Sequence, residues 1–200
     1  ARSASDGQQF IERIREETGI EIEIISGERE AYLGYLGVVN TIDAKDFIQF
    51  DLGGASIEVS LVLNRKIKES VSVPLGAVTM TDKFGMQDIV TQGVLDKCVK
   101  HVEKKFREMI PWAKDRRLPV IGIGGTVRNL AKMDQYKTSY QLARIHNYIV
   151  PRERFEPCYQ AIIKSSCTNR RKFGGLSTER ADIIVAGATI ARCLMEFSGG

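Results

Sequence analysis

"FDLGGASIEV" (residues 50–59) reads as an apolar strand, a glycine turn and a second apolar strand, with a carboxylate at the end of the first strand and another at the start of the second. Gly53 and Gly54 have no Cβ, so the backbone can approach an oxyanion closely with its N–H groups, and Ser56 adds a hydroxyl donor. A phosphate group suits such a turn. An ordinary hairpin also explains the glycines, but it gives no reason for Asp51 to end an apolar strand.

The flanking residues extend this pair into a meander. Residues 46–52, 56–63 and 66–73 have strand character, and Asn64–Arg65 suits a tight hairpin. Before them, "EIEIIS" (21–26) alternates as a strand does, and residues 28–39 have helical spacing after the junction at Ser26 and Gly27. After them, Pro74 and Gly76 end the meander, and apolar residues from Val94 to Ile110 predict a long amphipathic helix over about 91–110, stopped by Pro111. "LPVIGI" (118–123) predicts a fourth, buried strand leading through glycine into a helix over 126–133. Residues 144–150 suggest a further extended piece, followed by helices over 152–165 and 179–196. Meandering strands, helix, strand, helix describe an α/β domain with a mixed sheet.

The 200 residues, 43% hydrophobic and 27% charged, are enough for one good core. No apolar run reaches the ~18–20 residues of a membrane span, and "ARSASDGQQF" lacks the order of a secretory signal, so a soluble cytoplasmic protein with no membrane partner is expected. Cys98, Cys158, Cys167 and Cys193 form no C-x-x-C pair, and His101 and His146 do not complete a zinc spacing; reduced thiols are expected. Basic residues bunch in "KDRR" (114–117) and "NRRK" (169–172), as solvated surface or against an anionic ligand. No aromatic stripe interleaves with them, which argues against DNA or another nucleic acid.

"GIGGTVRN" (122–129) is a second anion candidate, because Gly124, Gly125 and Thr126 open a helix whose first amides and dipole favour negative charge. A dinucleotide fingerprint would need an acidic residue about twenty positions on, where "YQLAR" stands, and no G-x-x-x-x-G-K-[ST] occurs. In "SGEREA" (26–31), Glu28 fits a first-turn residue that complements the helix dipole. Glu30 has a sharper use. Turned toward Asp51 and Glu58, it would put three carboxylates around one phosphate, an arrangement that calls for a divalent cation; ligation by oxygen alone points to Mg²⁺.

"IEIISGEREAYLGYLG" (22–37), "FDLGGASIE" (50–58), "SVPLGAVTMTDKF" (72–84), "GIGGTVRNLAKM" (122–133) and "ERADIIVAG" (179–187) together resemble the exopolyphosphatase and guanosine pentaphosphate phosphatase family. The resemblance implies an actin-like fold of the kind shared with sugar kinases and Hsp70, built from two ribonuclease-H-like lobes with a mixed sheet flanked by helices. It places residues 1–40 at the end of the first lobe and in the linking strand and helix. Residues 41–200 then form the second lobe, cut short at its C-terminal end. The rest of the first lobe becomes an expected partner, and a homodimer is allowed.

By the same resemblance, Glu30 is the catalytic glutamate that orients or deprotonates water, and Asp51 and Glu58 manage Mg²⁺ and water. Gly53, Gly54, Ala55 and Ser56 form one phosphate loop, and Gly124, Gly125 and Thr126 the other. Ala55, Ile57 and Arg29 depart from the family's usual glycine, threonine and acidic residue. The implied activity is hydrolysis of the terminal phosphate of polyphosphate or guanosine pentaphosphate, with ATP-dependent phosphotransfer and non-catalytic polyphosphate or alarmone binding as the alternatives. The 200 residues alone are expected to be inactive.

Overall fold

A computed structural model of the chain describes residues 6–138 and 144–199. The meander expected from the sequence forms strands β1 (Phe47–Leu52), β2 (Ile57–Leu63) and β3 (Lys66–Val73), and a fourth strand, β4 (Val120–Ile123), lies parallel to β1. The resulting mixed sheet has the order β3-β2-β1-β4. Asn64 and Arg65 make the β2–β3 turn with φ of 49° and 59°, the mirror-image geometry that matches strand twist. Asp46 Oδ1 fixes this turn by accepting from the Asn64 amide at 2.6 Å.

Strand alternation sorts the side chains onto two faces. Ile48, Phe50 and Leu52 of β1 and Ile57, Val59 and Leu61 of β2 point into the main core. Helix α4 (Gln92–Met109) covers that core with Leu95, Cys98, Val102 and Phe106, and α8 (Ile184–Ser198) runs through it with most of its residues buried. Further helices are α1 (Gly7–Thr18), α3 (Ala77–Phe84), α5 (Gly125–Lys137), α6 (Arg152–Ile163) and the short α7 (Cys167–Arg170).

Helix α2 (Gly27–Val39) lies on the opposite sheet face, which carries Phe47, Gln49 and Asp51. Val38 packs with Phe47 and Val62, and a Cβ on Gly34 would lie 2.9 Å from Ile123 Cδ1 and 3.2 Å from Gln49 Nε2. Four helical residues advance about 6 Å and two strand residues about 6.6 Å, so the helix and β1 keep step in opposite directions. Glu30, four residues before Gly34, is carried toward Asp51. Ser26 starts α2 by accepting from the Arg29 amide at 3.1 Å, and Glu28 sits in the first turn as expected.

Four expectations need correction. Residues 21–26 form no strand: Ile20, Ile22 and Ile24 are 59%, 43% and 39% exposed, and no neighbouring strand among the described residues supplies a ladder for their alternation. Residues 144–150 form a turn rather than an extended piece, because Tyr148 donates to Asp134 Oδ2 at 2.7 Å and Arg154 to the Ile149 carbonyl at 3.1 Å. β4 is half-buried, since it forms one edge of the sheet. The helix expected over 179–196 starts only at Ile184, after a 3₁₀ turn at Thr178–Arg180. Helices α1 and α3 had no prediction; α3 has only eight residues, too few for its period to show. Among the described residues no helix is long and apolar enough to cross a membrane.

Candidate functional site

Ile123, Asp51, Glu58 and Ser72 stand side by side across β4, β1, β2 and β3. This row lies on the face covered by α2, at the end of the sheet from which both glycine loops leave. Glu58 is only 4% exposed, and its Oε1 accepts from Ser56 Oγ and from Ser72 Oγ, both at 2.7 Å. Burial raises the pKa of Asp51 above the usual carboxylate range; the like charges of Glu58 and then Glu30 add to this, while Arg128 opposes it. Glu30 lies on the exposed first turns of α2, and its charge acts on Asp51.

The loop at 53–56 is a tight turn closed by the Gly53 amide on the Ser56 carbonyl at 3.0 Å. The carbonyls of Gly53 and Gly54 accept from the first amides of α3: Ala77 to Gly53 at 3.0 Å, and Val78 and Thr79 to Gly54 at 2.9 and 3.1 Å. In a trans peptide unit the N–H points opposite to the C=O, so the Gly54 and Ala55 amides turn away from α3. Among the described residues the amides of Gly54, Ala55 and Ser56 have no protein acceptor, and Gly53 to Ala55 are exposed. Gly76 lets α3 approach this closely: a Cβ there would fall 2.1 Å from the Gly54 oxygen.

The second glycine loop lies against the same aspartate. Gly124 has φ of +94°, and a Cβ on it would fall 2.6 Å from Asp51 Oδ1 and 2.9 Å from the Leu52 oxygen. Next to it, a Cβ on Gly125 would fall 2.3 Å from Cζ of Arg180, so that guanidinium lies against the N-terminus of α5. Thr126 is buried, its side chain beside Gly187 of α8, so the group it can present to a ligand is its amide. A cleft of about 280 Å³ between these elements is lined by Gly53, Gly54, Ala77, Val78, Glu179, Arg180 and Ile183.

The residues singled out in the sequence therefore gather at one end of the sheet, with two differences in detail. The Ser56 hydroxyl donates to Glu58, leaving the backbone to serve an anion at that position. Glu30, Asp51 and Glu58 are electrostatically coupled without closing into a cage; among the described residues no three His, Cys, Asp or Glu side chains form a metal-holding group. An all-oxygen donor set with accumulated negative charge still fits Mg²⁺, which commonly takes one or two carboxylates together with water and phosphate oxygens. Sequence reasoning missed Ser72, Gly76, Arg128 and Arg180. All four lie in stretches already quoted for their resemblance, but nothing in their spacing separates them from ordinary strand, turn and helix residues.

The model of the Ppx/GppA phosphatase family matches residues 1–197. The chain is 26% identical over 205 residues to a bifunctional 3-dehydroquinate synthase/phosphatase of Fusobacterium nucleatum, covering 99% of this chain and 30% of that one. It is 25% identical over 198 residues to exopolyphosphatase 1 of Mycobacterium tuberculosis, covering 97% of this chain and 57% of the relative. The crystal structure of the Aquifex aeolicus Ppx/GppA family member superposes with a TM-score of 0.83 at 26% identity, covering 99% of this chain and 64% of that one. The chain thus spans less than two-thirds of each of these proteins.

Proposed function

Because the chain belongs to the Ppx/GppA phosphatase family, we propose that its glycine-loop cleft is half of a phosphohydrolase site acting on the terminal phosphate of polyphosphate or guanosine pentaphosphate. The observation that carries this reading is the convergence of two glycine loops on Asp51. One has three amides without protein acceptors among the described residues, and the other packs against the Asp51 carboxylate. Such a site favours a group with several anionic oxygens and disfavours an apolar ligand.

Each residue then has a definite task. The Gly54 and Ala55 amides and the first amides of α5 donate to the phosphoryl oxygens, and Arg180 supplies a positive charge beside them. Glu30, exposed on the first turns of α2, aligns a water opposite the leaving phosphate, acting as its base. Glu58, fixed by two serine hydroxyls, and Asp51 are the carboxylates that would hold Mg²⁺. When bound, the ion neutralises charge on the phosphate oxygens. Positioning and charge complementarity do most of the work, since phosphoryl transfer asks little covalent chemistry of the protein.

The test is phosphate release by the full-length protein from polyphosphate, guanosine pentaphosphate and ATP, with and without Mg²⁺. Mg²⁺-dependent release from either of the first two is expected. Transfer that requires ATP, or tight binding of polyphosphate without release, would replace this reading with phosphotransfer or with simple binding.

A further inference from the structure

One oxygen of the Glu58 carboxylate is held from two directions. Ser56, two residues earlier on the same face, and Ser72, directly opposite on the edge strand β3, each donate to Oε1 at 2.7 Å. A carboxylate oxygen has about two lone-pair sites, so these two hydroxyls fill Oε1. Both bonds are charge-assisted, and Glu58 is buried to 4% exposure, where such bonds count most.

We infer that Ser72 is a positioning residue: with Ser56, it fills Oε1 and so fixes the orientation in which the Glu58 carboxylate meets a metal ion or water. The inference rests on the phosphohydrolase reading. It gives β3, which lines no part of the cleft, a part in the reaction. The effect passes through Glu58, drawing one oxygen toward the edge strand and away from Asp51, its opposed partner on β1. The serine pair one row further down the same face is a natural comparison. Ser60 and Ser70 hydrogen-bond each other at 3.0 Å and, among the described residues, hold no carboxylate.

The experiment uses the full-length protein and compares Ser72→Ala, Ser72→Thr and Ser70→Ala. Loss of a hydrogen bond to a charged group predicts a fall in kcat of about tenfold or more for Ser72→Ala, together with a higher Mg²⁺ concentration for half-maximal rate and a KM for polyphosphate within about twofold. Ser72→Thr keeps the hydroxyl and is expected to recover most of the rate, and Ser70→Ala to leave it unchanged. A Ser72→Ala enzyme with normal kcat and normal Mg²⁺ requirement overturns the inference, as does a threonine variant no better than alanine.

If the unaltered full-length protein releases no phosphate from any substrate, the proposed function fails on its own account. The positioning role is then decided by the crystal structure of the Ser72→Ala chain. A shifted Glu58 carboxylate supports the role, and a carboxylate left in place refutes it.

Discussion

Asp51 and Glu58 occupy directly opposed positions on β1 and β2, so two carboxylates share one end of one sheet face. Like charges facing each other across an antiparallel pair are destabilising, and here burial adds to the cost. The arrangement is therefore explained by what it can hold and not by what it contributes to the fold.

The first prediction concerns stability against pH. Asp51 binds its proton more tightly in the folded chain than in the unfolded one, where the ordinary value is 3.8. Its favourable contribution is therefore fully present below that pH and is lost as pH rises through the higher folded value. Asp51→Asn should melt at a higher temperature than the unaltered chain at pH 7, with the gain vanishing at the acid end. Thermal unfolding followed from pH 3 to 8 reads this directly. A variant less stable at neutral pH would mean that the carboxylate is net favourable where it stands.

A second prediction tests the contact between the two loops. Gly124→Ala would place a methyl group 2.6 Å from Asp51 Oδ1 on a backbone with φ of +94°, combining strain with a clash. A loss of about 1–3 kcal/mol is expected in urea unfolding. Gly37→Ala in α2 is the opposite case, because a Cβ there meets nothing within 4 Å. It should stabilise the chain by about 0.5–1 kcal/mol.

Much of this site was legible because its signals are local. Two glycines between apolar strands, with Asp51 before them and Glu58 after, form one contiguous stretch, and alternation alone puts both carboxylates on one face. Gly124 and Gly125 announced a strand-to-helix junction in the same way. Ser72 and Arg180 were not legible, because their roles depend on contacts made across the sheet or from a distant 3₁₀ turn. Residues 21–26 failed for a related reason: alternation reports a chain able to form a strand, whereas pairing depends on a neighbour.

Glu30 supplies the third prediction. A general base contributes typically 10²- to 10⁴-fold, so Glu30→Gln in the full-length protein should lower kcat by about that factor. KM for the substrate should stay within a few fold, because the loop amides and Arg180 are untouched. A kcat within about twofold of the unaltered enzyme would remove Glu30 from the mechanism.

Arg180 carries the last prediction, and its surroundings are unlike those of the other arginines held by carboxylates. Arg154 and Arg192 pair with Asp134 and Glu156 at 3.0 and 2.9 Å, whereas Arg180 has no ion pair among the described residues and lies against Gly125 at the start of α5. A guanidinium with no ion pair among the described residues, set against a helix N-terminus, is suited to an incoming anion. Arg180→Ala should therefore raise KM for polyphosphate by about 10- to 100-fold, the range for a lost hydrogen bond to a charged group. Arg180→Lys should recover only part of this, because a single ammonium cannot reproduce the planar fork that grips two phosphate oxygens. Since the side chain is partly exposed, neither change should much alter the melting temperature. A KM that stays within twofold in the alanine variant would show that the loop amides bind the phosphate without help from this arginine.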